Sequence, residues 1–182
     1  MDTYLKPIEK PEGLLWKMIY SFSRRMFGKV LTPLKIMSVR LPVGFALFSM
    51  KIGKLDKKLR LPQETLMLVR QQVARLNVCL FCIDIARMIT IQSSMKQEKF
   101  DALGEYKTSP LFSDAERALL DFVTLLTKER RMDQETFSAL AKHYPEREIC
   151  EIVWIISTEF YYNIGNIGLN IHSDMLCEIV RK

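Results

Sequence analysis

An all-α fold is what this 182-residue chain predicts, and three observations carry the prediction. Apolar residues recur at helical spacing, as in Leu66, Val69, Val73 and Leu76. Alternating strand patterns and Asn-Gly or Asp-Gly hairpin turns are missing. Helix start signals stand at intervals, among them Ser113 with Glu116 three residues on, the pattern of a capping box. With 48% hydrophobic and 26% charged residues, the composition suits one soluble globular domain with a core of its own. The expected organisation is a single compact multi-helix domain over 1–182, in which 1–60 is a basic N-terminal helical extension packed on the core.

The elements follow in order. Pro11 and Glu12 open a first helix that carries to about Phe27. Thr32-Pro33 reads as an N-cap and first-turn proline of a short helix before Pro42, and a further helix covers roughly Val43–Leu55. From Gln63 a helix runs to Leu76, where Asn77 breaks the pattern, and the next begins at or near Val78 and runs to about Ser93. SMKQEKFDAL is a short amphipathic helix, and SDAERALLDFVTLLTKER opens on its cap, Ser113. DQETFSALAKHY stops at Pro145. EREICEIVWIISTEFYYNIGNIGLNI is the longest helical stretch, and Ser173 caps a last short helix in SDMLCEIV. Eight or nine helices result.

Charge is unevenly spread. Residues 1–60 hold 13 Lys/Arg against 4 Asp/Glu, net +9, whereas 61–182 hold 14 against 17, net −3. The basic, amphipathic WKMIYSFSRRMFGKVLTPLK has the chemistry to touch acidic lipid or nucleic acid. No groove-reading motif accompanies it, so the favoured reading is a solvated helix face that packs on a subunit neighbour, without membrane or nucleic acid. Apolar runs such as 41–50 and 149–156 are well short of the roughly 20 residues of a membrane span. The start MDTYLKPIEKPEGLL lacks the basic end and apolar run of a signal peptide. A cytoplasmic location is therefore expected.

Four cysteines stand at 79, 82, 150 and 177. In ARLNVCLFCIDIARMIT two of them are three residues apart on an apolar helix start. A zinc half-site lacks further ligands: a second Cys-x-x-Cys is absent and the chain has only two histidines. No metal or cofactor is expected. Two readings stay open, a redox dithiol and a pair packed in the core. Cysteines at i and i+3 share a helix face, and the first turn of a helix stabilises a thiolate. Free cysteine is also among the most buried residue types.

LPQETLMLVRQQVARLNVCLFCIDIARM resembles the signature region of the alkylhydroperoxidase D-like, or carboxymuconolactone decarboxylase, family. ARLNVCLFC keeps that family's spacing at Asn77, Cys79, Phe81 and Cys82, and EFYYNIGNIGLNIHSDMLC resembles its C-terminal region. The resemblance implies a helical protein that assembles into trimers or hexamers. It implies that Cys82 is the peroxide-reactive thiol, that Cys79 resolves it into a disulfide, and that an external dithiol regenerates the pair. The cysteine pair argues against lactone decarboxylation, whose branch does not keep it. The family's relay glutamate and histidine fall on Met67 and Ala86 here, so both are missing. Substitute proton acceptors to consider are Glu64, Asp84, Glu159 and His172. Tyr161, Tyr162 and Asn163 put more polar tips on one turn than a core needs. The expected activity is that of a thiol–disulfide oxidoreductase acting on a peroxide or disulfide. The alternative is a catalytically degenerate family member that serves as an oligomeric binding or scaffold protein.

Overall fold

A computed structural model describes residues 3–180, and it is all-α, with no strand among the described residues. The α-helices are α1 (Leu14–Phe27), α2 (Phe48–Asp56), α3 (Gln63–Leu76), α4 (Leu80–Gln92), α5 (Gln97–Asp101), α6 (Asp114–Glu129), α7 (Gln134–Ala141), α8 (Glu146–Gly168) and α9 (Leu176–Val180). Among the described residues no helix is long and apolar enough to cross a membrane.

The main core lies where α3 packs against α6 and α8. Leu68, Val69 and Val73 of α3 meet Leu119, Leu120 and Val123 of α6 and Ile152, Ile155 and Ile156 of α8, all buried. Each such side chain contributes roughly 1.5–3 kcal/mol on burial. A second cluster joins the N-terminal third to α4 and the chain end, through Ile36, Met37, Phe81, Met88, Ile171 and Leu176.

The capping box forms as the sequence predicts. Glu116 N–H donates to Ser113 Oγ at 3.3 Å, and Ser113 N–H donates to Glu116 Oε2 at 2.9 Å. The region before α2 differs from its expected helices. Leu34–Ser38 and Pro42–Leu47 are π-helical turns, and α2 proper starts at Phe48. Pro42 has no N–H to give and disfavours the helical conformation at Leu41 (φ −131°, ψ 69°), which separates the two turns. The last helix likewise begins at Leu176 rather than directly after Ser173. Ser173 Oγ instead accepts from Met175 N–H at 2.9 Å and donates to Asp84 Oδ2 at 2.8 Å.

The connection between α3 and α4 is the part of the fold that builds the site. Val78 N–H donates to Arg75 O at 3.1 Å and Cys79 N–H donates to Ala74 O at 2.9 Å. Those two bonds are a Schellman closure, with Val78 in the left-handed position at φ 56°. That position favours glycine, so a β-branched residue there is strained. One residue later Cys79 is extended and is the N-cap of α4.

Candidate functional site

Because Cys79 caps α4 and Cys82 ends its first turn, both side chains fall on one side of the helix start. They form a disulfide, with Cα atoms 5.3 Å apart, inside the usual range for such a bond. The pair is buried, Cys79 at 1% and Cys82 at 4% exposure. Ala74, Ile83 and Tyr162 pack around it. The residues that flank Cys79 are exposed, Val78 at 68% and Leu80 at 46%. Helix α4 starts at the pair, with Cys79 as its N-cap, and the positive end of its dipole favours a thiolate once the bond is reduced.

The lid on this pair is the second half of α8. Glu159, Tyr162, Asn163 and Asn166 are spaced three, one and three residues apart, which places them along one helical stripe. Asn166 Nδ2 donates to Cys82 Sγ at 3.3 Å. One turn earlier, Asn163 Oδ1 accepts from Asn77 Nδ2 at 2.9 Å, and Asn163 Nδ2 donates to Glu159 Oε1 at 2.7 Å. Arg70 Nη1 donates to Glu159 Oε2 at 2.8 Å, and Arg70 Nη2 donates to Asp56 Oδ2 at 2.6 Å. Trp154 Nε1 completes the Asp56 carboxylate at 2.9 Å. The result is a continuous polar seam from Asp56 on α2, through Arg70 on α3, to the α8 residues that cover the cysteines.

The electrostatics follow from burial. Burial pushes the Glu159 carboxyl up from its ordinary value, against the pull of Arg70. Burial also works against the Arg70 charge, but Glu159 and Asp56 outweigh it and hold the guanidinium above its ordinary value. Burial pushes the Tyr162 phenol up to about 12, so its proton stays in place at neutral pH.

Of the four acceptors considered from sequence, Glu159 belongs to this seam. Glu64 sits at the other end of α3, about 18 Å along the helix from Leu76, where Lys99 Nζ holds it at 2.8 Å. The Asp84 carboxylate is occupied by the chain end, accepting from Ser173 Oγ, from Leu176 N–H at 3.0 Å and from Cys177 N–H at 3.2 Å. His172 lies between α8 and α9, its Nε2 buried and without a hydrogen-bond partner. Met67 and Ala86, at the two relay positions of the resemblance, are 2% and 5% exposed members of the main core. Among the described residues no group of three or more His, Cys, Asp or Glu is placed to hold a metal ion.

Sequence reading named Asn77 only as a position of the cysteine motif and did not single out Arg70 or Asn166. The available signal was the polar stripe at 159, 162, 163 and 166 on a helix whose preceding positions at the same spacing are isoleucines.

No family model matches the chain. The uncharacterised protein YnjA of Escherichia coli (strain K12) is 30% identical over 162 residues, covering 87% of this chain and 88% of YnjA. Among solved structures, the debrominase Bmp8, as a cysteine-to-alanine variant in complex with 2,3,4-tribromopyrrole, is 20% identical. It matches 98% of this chain and 96% of its own with a TM-score of 0.82. A protein of unknown function from Agrobacterium tumefaciens, described as a candidate antioxidant defence protein AhpD, is 21% identical. There the match covers 75% of this chain and 94% of the other, with a TM-score of 0.68.

Proposed function

We propose, because the chain belongs to the alkylhydroperoxidase D-like family, that it is a thiol–disulfide oxidoreductase with peroxidase-like activity. The observation that supports this reading most is the Cys79–Cys82 disulfide at the start of α4, with a hydrogen-bond donor on one of its sulfurs.

In the reduced pair, the Cys82 thiolate attacks a peroxide oxygen. The S–O bond forms as the O–O bond breaks, leaving a Cys82 sulfenic acid and an alcohol once the departing alkoxide takes a proton. Cys79 then attacks the sulfenic sulfur through its thiol, forming the disulfide and releasing water. An external dithiol restores both thiols by two exchange steps and becomes the oxidised product, so two electrons pass from it to the peroxide.

The departures from the family pattern shape the roles. With Met67 and Ala86 in the core, the thiolate relies on the α4 start and on the Arg70–Glu159 seam for its electrostatics. Glu159 and Asn163 hold the α8 stripe that carries Asn166, and Tyr162, packed against the pair with its proton in place, is a phenol able to protonate the departing alkoxide. A cytoplasmic setting suits the cycle, since reducing conditions keep the external dithiol charged with electrons. Self-assembly into a trimer or hexamer would cover the exposed Leu14, Met18, Phe22 and Met26 of α1.

The test is a peroxide pulse on the reduced chain, read by thiol titration and intact mass. Wild type should lose two thiols as one disulfide; Cys79→Ser should stop at a sulfenic acid on Cys82; Cys82→Ser should not consume peroxide. Offering 2,3,4-tribromopyrrole in parallel, the compound bound by the similar debrominase, separates a peroxide reductase from a reductase of another electrophile. A Cys82 that stays unreactive below about pH 9 sinks the redox reading. The apolar residues at both relay positions favour, in that case, the scaffold alternative, in which changing both cysteines to serine leaves the phenotype unchanged.

A further inference from the structure

The Asn166 side chain has more to offer than the disulfide uses. It is 2% exposed, and its Nδ2 points at Cys82 Sγ. Its Oδ1 is buried and has no hydrogen-bond partner. The residue is also anchored by its main chain, since Asn166 O accepts from Ile171 N–H at 2.8 Å where α8 ends. A buried amide oxygen left without a donor is an unusual cost in a fold, and native structures seldom leave one without a reason.

The chemistry of the neighbouring sulfur supplies that reason. A disulfide sulfur has no proton and accepts hydrogen bonds weakly. After reduction the same sulfur is either a thiolate, which accepts strongly from an amide N–H, or a thiol, which has a proton to donate. After reaction with a peroxide it carries an S–OH, whose proton needs an acceptor. One carboxamide, with a donor and an acceptor on the same rigid plane, serves all three states. Asn163, the other α8 amide of the seam, is already committed on both sides, to Asn77 and to Glu159.

We propose that Asn166 is the positioning residue of the dithiol: its Nδ2 donates to the Cys82 sulfur as thiolate, and its unpartnered Oδ1 accepts a hydrogen bond from the Cys82 thiol or sulfenic acid, which keeps its proton. The assignment deepens the redox reading and rests on it for the sulfenic acid, though the thiolate contact stands without peroxide chemistry. It also distinguishes the two cysteines, because the amide addresses Cys82 and leaves Cys79 to the α4 N-cap. Of the charged and titratable groups, Tyr162 on α8 packs on the pair, Arg70 lies 5.9 Å from the Tyr162 ring and pairs with Glu159, and Asp84 on α4 is committed to the chain end.

The experiment is the pH profile of iodoacetamide alkylation on the reduced full chain, read cysteine by cysteine by mass spectrometry. Asn166→Leu removes both functions at similar volume, and Asn166→Asp replaces the donor with a second oxygen. Both should shift the Cys82 midpoint upward, slowing its alkylation near neutral pH by about tenfold, the effect of one pKa unit. The exposed Cys150 serves as internal control and should not change. Asn166→Ser, which keeps a small donor and acceptor, should recover part of the wild-type rate. A Cys82 profile that coincides with wild type in both variants overturns the proposal. If Asn166→Leu does not fold, the near-isosteric Asn166→Asp decides alone. A wild-type Cys82 that alkylates readily but ignores peroxide removes the peroxidase reading and leaves the role of Asn166 to be decided by these profiles.

Discussion

The two halves of α8 show one helical stripe with opposite chemistry. Ile149, Ile152 and Ile156 occupy its first half, and Glu159, Asn163 and Asn166 continue the same three-and-four spacing in the second. All six are buried. The first half meets the apolar face of α3 in the main core, while the second meets Arg70, Asn77 and Cys82. Apolar burial is non-directional and scales with area, so the isoleucines stabilise without dictating a precise geometry. Polar burial is favourable only when each group finds its partner at the right angle. The first half therefore sets how firmly α8 is held, and the second half sets where the cysteines sit against it.

Removing the centre of the polar seam should have the largest effect. Arg70→Ala leaves the buried Glu159 and the half-buried Asp56 as neighbouring carboxylates without their cation, and the expected loss is about 3–5 kcal/mol in urea unfolding. A compensating Glu159→Leu in the same chain should recover part of that loss; no recovery would mean that Arg70 acts through packing alone. On the apolar half, Ile155→Ala should cost about 2–5 kcal/mol by transfer and cavity effects. Its Cys82 alkylation profile should match wild type, and a shifted profile would erase the division between the two halves. The smallest effect is expected at the turn that joins α3 to α4. Val78→Gly relieves a strained left-handed backbone and should raise stability by about 1 kcal/mol, seen as a higher urea midpoint. An unchanged or lower midpoint would show that the exposed Val78 side chain contributes more than its strain costs.

How much of this was legible in the sequence depended on how local each signal is. The capping box at Ser113 and the apolar face of α3 are written within one or two turns, and both form as expected. The π-helical turns at 34–47 were read as ordinary short helices because the prolines that mark their starts carry the same signal in either case. Arg70 was invisible for a different reason. Its partners lie 14 and 89 residues away, so nothing near it in sequence separates a buried ion pair from a solvated cation. Asp84, which looked available beside Cys82, points to the opposite end of the problem. Its carboxylate is claimed by the backbone of a helix more than ninety residues downstream, a claim that no local pattern announces.

The three-residue link Asn77–Val78–Cys79 closes one helix and opens the next without a spare residue. Chain length at this point thus carries information of its own. Adding or deleting one residue between Leu76 and Leu80 would rotate everything that follows by about 100° about the α4 axis. Cys82 would leave the reach of Asn166 even though every side chain of the site remained in the sequence. Among relatives, a gap at this link should be a stronger sign of a lost site than a substitution at many of the surrounding residues.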